Sequence, residues 1–106
     1  MFDFPDTLAT AERYEKQGDF ALATFHYWLI DFAFEDEEIP WQYTRQIGEK
    51  GSEGFNRLLG KYRDEIPISV SYIRFKEELS VFESYRKYFY YFEQTLAGVM
   101  REYEGV

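Results

Sequence analysis

The chain has 106 residues, with 20 acidic and 12 basic side chains and a net charge of −8. Such a charge repels phosphate backbones and anionic bilayers, so direct binding to nucleic acid or to a membrane surface is not expected. The absence of cysteine excludes disulfides, thiolate catalysis and thiolate metal sites, and it suits a reducing cytoplasm.

The length predicts one domain, residues 1–106, able to bury roughly two thirds of its unfolded surface. Eleven Phe, ten Tyr and two Trp argue against disorder, because disordered chains lack aromatics. The start, MFDFPDTL, has neither a basic region nor a long apolar run, so a signal peptide is not expected. No stretch reaches the roughly 18 apolar residues that a membrane helix needs.

Asp6, after Pro5, is a candidate N-cap for a first helix over Thr7–Gln17. Leu8, Ala11 and Tyr14 recur at helical spacing, with Glu12, Arg13, Glu15 and Lys16 as the wet face. Gly18 supplies a left-handed stop, and Asp19 can cap the next helix at once. The two helices should form a tight antiparallel hairpin, the second over Phe20–Asp36. That second helix is apolar almost all round. Thr24, Asp31 and Glu35 fall along one side, with Trp28 among them, and this side is predicted to face water. A helix so apolar elsewhere should be central, touching the first, third and fourth.

Pro40 can open a third helix. Trp41, Tyr43, Ile47, Phe55, Leu58, Leu59 and Tyr62 supply its apolar positions, interrupted by Gly48, Gly51 and Gly54. Each mid-helix glycine costs about 1 kcal/mol against alanine. A break or bend is therefore predicted near Gly51-Ser52, with Ser52 capping a second segment to about Asp64. The glycines read as a loop or a close helix contact; a phosphate cradle would need a strand before it. The sequence EIP occurs at Glu38–Pro40 and at Glu65–Pro67, and each copy reads as a helix boundary. Ile68, Val70 and Tyr72 alternate with serines, a strand pattern with no second strand to pair with, so helix and strand both stay open there. Phe75, Leu79, Phe82, Tyr85, Phe89, Phe92, Leu96, Val99 and Tyr103 then mark one face of a long C-terminal helix. At 1.5 Å per residue it would span roughly 43 Å and act as a spine. The expected fold is a compact all-α bundle of four main helices, the third broken near Gly51.

Ala11, Tyr14, Gly18, Asp19, Phe20, Ala23 and Tyr27 together resemble one tetratricopeptide repeat, A-x2-Y-x3-G-D-F-x2-A-x3-Y. The resemblance implies a helical hairpin whose small residues let the helices touch. Ile30 stands where that pattern has a small residue, and the closing proline does not come until Pro40. The stretch GDFALATFHYWLIDFAF also resembles the hairpin of the HEPN family of small helical bundles. Members of that family that cut RNA carry a basic-polar-x3-His motif, which His26 does not complete, so the resemblance implies a non-catalytic member.

His26 is the single histidine, and Asp31 lies about 140° around the helix from it, so the two do not converge. No Glu-x-x-His pair is present for a di-iron bundle. No catalytic, metal or cofactor-binding residue is assigned. The block Glu35, Asp36, Glu37 and Glu38 opposes the dipole at the end of helix two and helps to end it. It also offers a patch for a basic partner. Trp28, with Tyr90 and Tyr91 pointing away from the apolar face of the last helix, are the aromatic anchors, since Trp and Tyr are enriched at interface hot spots. The partner-binding set is thus Trp28, Asp31, Glu35, Asp36, Glu37, Glu38, Tyr90 and Tyr91. The expected function is that of a small acidic, non-catalytic adaptor that binds a protein partner. A homodimer is the competing use of the same rings. The alternatives are an acidic inhibitor of a nucleic-acid enzyme, its carboxylates standing in for phosphates, and a HEPN-like protein without catalysis.

Overall fold

A computed structural model describes residues 4–36, 41–66 and 86–104. Among them are four α-helices and no strand: α1 (Phe4–Lys16), α2 (Phe20–Asp36), α3 (Trp41–Tyr62) and α4 (Arg86–Glu104). The all-α bundle read from the sequence is the observed architecture. The segment Ile68 to Tyr72 lies outside the described residues, as does the part of the apolar row from Phe75 to Tyr85.

Helix α1 starts one turn earlier than its cap signal implied. Pro5 fits a first helical turn, where no N–H is needed, and Phe4 is buried beneath it. Asp6 lies inside that turn, and Arg13 and Lys16 lie in the last one, so the charges complement the helix dipole. The end of α1 follows the reading of Gly18. Its φ is +80°, a conformation that L side chains rarely adopt. The N–H of Gly18 donates to the Glu15 carbonyl at 3.1 Å, and that of Asp19 donates to the Tyr14 carbonyl at 2.9 Å. These two bonds make a Schellman motif. Asp19 then opens α2: its carbonyl accepts from the Ala23 N–H at 3.0 Å. Its carboxylate lies 3.5 Å from the Leu22 N–H, a long capping contact.

Ten consecutive residues of α2, 21 to 30, are buried. One stripe cannot do this, so the helix must be covered on several sides, and α1, α3 and α4 all pack on it. Among the described residues the hub is therefore α2, with α1, α3 and α4 packed on it; the first part of the row that was to make the last helix a spine, Phe75 to Tyr85, lies outside them. The polar members of the run satisfy themselves locally. Thr24 Oγ1 donates to the Phe20 carbonyl at 2.6 Å, and His26 Nδ1 bonds the Leu22 carbonyl at 2.7 Å.

The expected break in α3 does not occur; the helix runs unbroken for 22 residues. Its glycines are contact points. A Cβ on Gly51 would sit 2.6 Å from Ile30 Cγ2, and one on Gly54 would sit 2.5 Å from the Tyr27 ring. The propensity cost of glycine is offset by letting two backbones approach. Phe20 stacks on Tyr62 at 3.7 Å between ring centroids. Phe20 thus meets Tyr62, Tyr27 meets Gly54 and Ile30 meets Gly51, which fixes α3 antiparallel to α2. Phe55, Leu58 and Leu59 face inward, as their spacing predicted.

Helix α4 lays Phe89, Phe92 and Leu96 on the core, with Val99 packed at its edge. Offsets of three and four make that stripe. Phe25 of α2 meets Phe89 and Phe92 edge-on at 6.0 and 5.3 Å, the geometry that aromatic quadrupoles favour.

Candidate functional site: an aromatic surface at the end of the central helix

The residues assigned to partner binding separate into three groups. Tyr90 and Tyr91 are exposed, at 59% and 48%, as the helical offsets of α4 predicted. Trp28 is not at the surface. It is only 3% exposed, so the side of α2 that carries it does not face water. Thr24 on that side is also buried. Threonine marked the side as wet in the sequence, but its hydroxyl bonds its own helix and needs no water. Asp31 is half-buried, and Glu35 and Asp36 occupy the last turn of α2. Glu37 and Glu38 lie outside the described residues.

The structure connects Trp28 to the surface through a residue the sequence did not single out. Phe32, one turn after Trp28, stacks on it at 4.8 Å and 24°. On the other side, Phe32 stacks on Tyr91 of α4 at 5.8 Å and 19°, and Tyr88 meets it edge-on at 5.9 Å. Tyr90 and Tyr91 are themselves 5.7 Å apart at 71°. A continuous series of rings thus runs from solvent to core: Tyr91, Phe32, Trp28, then Phe25 and Phe92. Exposed tyrosines on a lone helix are mobile; Tyr91 is held by stacking. The i, i+4 spacing of Trp28 and Phe32 was the available signal. This surface adjoins the C-terminal end of α2, where the helix dipole is negative and the acidic block begins.

His26 is buried, with its ring 5.3 Å from Tyr14 and 5.4 Å from Phe25. Burial pushes its pKa down from the usual value, against the bond to the Leu22 carbonyl, which raises it. The unfolded imidazole therefore takes up a proton more readily than the folded one. Its contribution to stability is complete above pH of about 6.5 and is lost as pH falls through that value toward the lower folded pKa. Urea melts should accordingly show a lower midpoint at about pH 5.5 than at about pH 7.5, with the difference reduced in His26→Gln; an equal difference in that variant would contradict this role for His26.

A second polar feature joins three helices. One carboxylate oxygen of Glu15 accepts from the Tyr27 hydroxyl at 2.7 Å and from Arg57 Nη2 at 2.6 Å. Arg57 also lies 5.8 Å over the Tyr27 ring. Burial, with the bond to Glu15 adding to it, pushes the Tyr27 phenol up to about 12. The hydroxyl therefore stays protonated and donating. Glu15 and Arg57 are 42 residues apart, and no local pattern pairs them.

No group of three or more His, Asp or Glu among the described residues is arranged to hold a metal ion. No helix among them is long and apolar enough to cross a membrane. Comparison of the chain with known protein families, with curated proteins and with solved structures finds no match.

Proposed function

We propose that this chain is a non-catalytic interaction protein, whose partner docks on Phe32, Tyr88, Tyr90 and Tyr91 beside the acidic end of α2. The observation that supports this most is that Tyr91 is exposed yet stacked on Phe32, which is itself stacked on the core. A ring already ordered in the free protein loses little entropy on binding. Asp31, Glu35 and Asp36, with Glu37 and Glu38 next in sequence, add negative charge to a chain of net charge −8. That field steers and selects a basic protein, and the tyrosines supply contact energy. Trp28 backs the anchor and is not the anchor itself. The reading places the protein in the cytoplasm, which the cysteine-free composition suits. The buried Ala11 and Ala23 in the α1–α2 hairpin support a tetratricopeptide-like contact; the hairpin alone does not separate this resemblance from the HEPN-like one.

A photo-crosslinking side chain at position 91 tests this in cells. The expected result is an adduct with a basic protein, lost in Tyr90→Ala, reduced by neutralising Glu35–Glu38, and absent with the crosslinker at Arg101. An adduct of twice the chain's own mass would assign the surface to a second copy. Equal adducts from positions 91 and 101 would overturn the reading.

A further inference from the structure

An open groove of about 440 Å³ lies between α1, α2 and α3, apart from the aromatic surface. That volume falls within the range of small-ligand sites. Leu8 and the Tyr27 ring contribute its apolar surface, and its charged lining comes from two stripes. Glu12, Glu15 and Lys16 line it from α1; Lys50, Glu53 and Arg57 line it from α3. Glu15 and Arg57 neutralise one another. Glu12, Glu53, Lys16 and Lys50 remain, and none has an ion-pair partner among the described residues.

The register of the two helices orders these charges. Both run antiparallel to α2, so they run in the same direction, with Glu15 facing Arg57. Lys16 and Arg57 therefore stand at one end. Four residues back along each helix, about 6 Å away, stand Glu12 and Glu53. A wholly anionic ligand would meet three carboxylates here, in a chain of net charge −8. A wholly cationic ligand would meet three basic groups. Lys50 lies about one turn beyond Glu53, so the Glu12–Glu53 end keeps a net charge of −1 and the Lys16 end, with Glu15 and Arg57 paired, a net charge of +1; a ligand with one charge of each sign, set about 6 to 7 Å apart, meets both ends favourably. Two residues of extended peptide have that reach.

We propose that this groove binds a zwitterion of dipeptide length, its ammonium between Glu12 and Glu53 and its carboxylate at Lys16 and the edge of Arg57 that Glu15 leaves open. The Tyr27 hydroxyl donates to the same Glu15 oxygen that Arg57 Nη2 binds, so the carboxylate is held between them. This site does not rest on the aromatic surface, and Tyr90→Ala leaves it intact.

The test is an amide chemical-shift titration of the whole chain with glycylglycine, N-acetylglycylglycine and glycylglycinamide. Glycylglycine should give saturable shifts along α1 and α3, with a dissociation constant near about 1 mM, equivalent to about 4 kcal/mol. Each capped probe should bind at least about tenfold more weakly, because each lacks one charge; tenfold is about 1.4 kcal/mol. Glu12→Gln with Glu53→Gln should weaken glycylglycine by a similar factor, and Lys61→Met, outside the groove, should not. These side chains are exposed, and an unchanged melt confirms that the variants fold. No saturable shift with glycylglycine, an equal response to all three probes, or full binding by the double glutamine variant would each overturn the proposal.

Discussion

Phe25→Ala is expected to cost about 3–5 kcal/mol, within the range for truncating a buried phenylalanine. Phe25 is fully buried in the central helix, and its ring meets those of His26, Trp28, Phe89 and Phe92. Removing it forfeits the apolar transfer energy and leaves a void between α2 and α4. The surrounding groups are aromatic rings of α2 itself and of α4, so the void cannot close by one rotamer change. For a domain near this size, that loss lowers the melting temperature by roughly 15–30 °C. Tyr90→Ala, on the exposed side of α4, should change stability by no more than about 0.5 kcal/mol. Comparable effects for the two variants in denaturant melts would mean that Phe25 is not enclosed as described.

The second large effect is one of sign. Glycine to alanine inside a helix normally gains about 1 kcal/mol. Gly60, where an added Cβ would have nothing within 4 Å, should show that gain. At Gly54 the added methyl would meet the Tyr27 ring at 2.5 Å, and at Gly51 it would meet Ile30 at 2.6 Å and the Tyr27 carbonyl at 3.1 Å. Neither neighbour is the loose end of a flexible chain. Relief requires α3 to move off α2, and overpacking of this kind costs about 1–3 kcal/mol. At Gly54 the displaced ring also carries the hydroxyl bonded to Glu15, so the clamp with Arg57 is strained too. Gly54→Ala and Gly51→Ala should therefore destabilise where Gly60→Ala stabilises. Stabilisation at all three sites, read from urea midpoints at constant m, would contradict the close α2–α3 contact.

The elements of the bundle differ in how far the amino-acid sequence conveys them. The hairpin was legible because Gly18 and Asp19 act on neighbouring backbone groups. The central place of α2 was legible because the helix is apolar on every side but one, so it must meet several neighbours. The stripe from Phe89 to Val99 was legible from spacing, and the same offsets put Tyr90 and Tyr91 outside. The glycines of α3 were ambiguous for a physical reason. A glycine lowers helix propensity in the same way whether it ends a helix or admits a neighbour, and only Ile30 and Tyr27 across the contact decide between the two. Thr24 misled because its hydroxyl can be satisfied by its own helix, and Trp28 was misplaced along with it. The aromatic surface was read in part: its exposed tyrosines were found, whereas Phe32, which fixes one of them, was not. The Glu15–Tyr27–Arg57 cluster had no local signature, since its members come from three helices.

The bundle depends most on α2 being enclosed by the helices around it, among the described residues α1, α3 and α4. Native-state hydrogen exchange of the amides from Thr24 to Ile30 tests this directly. With the helix covered on all sides, these amides should exchange only through global unfolding, and their opening free energy should equal that from denaturant melts. Exchange of the same amides through smaller openings, at the rate of the first turn of α1, would show that the helix is not the closed centre of the bundle.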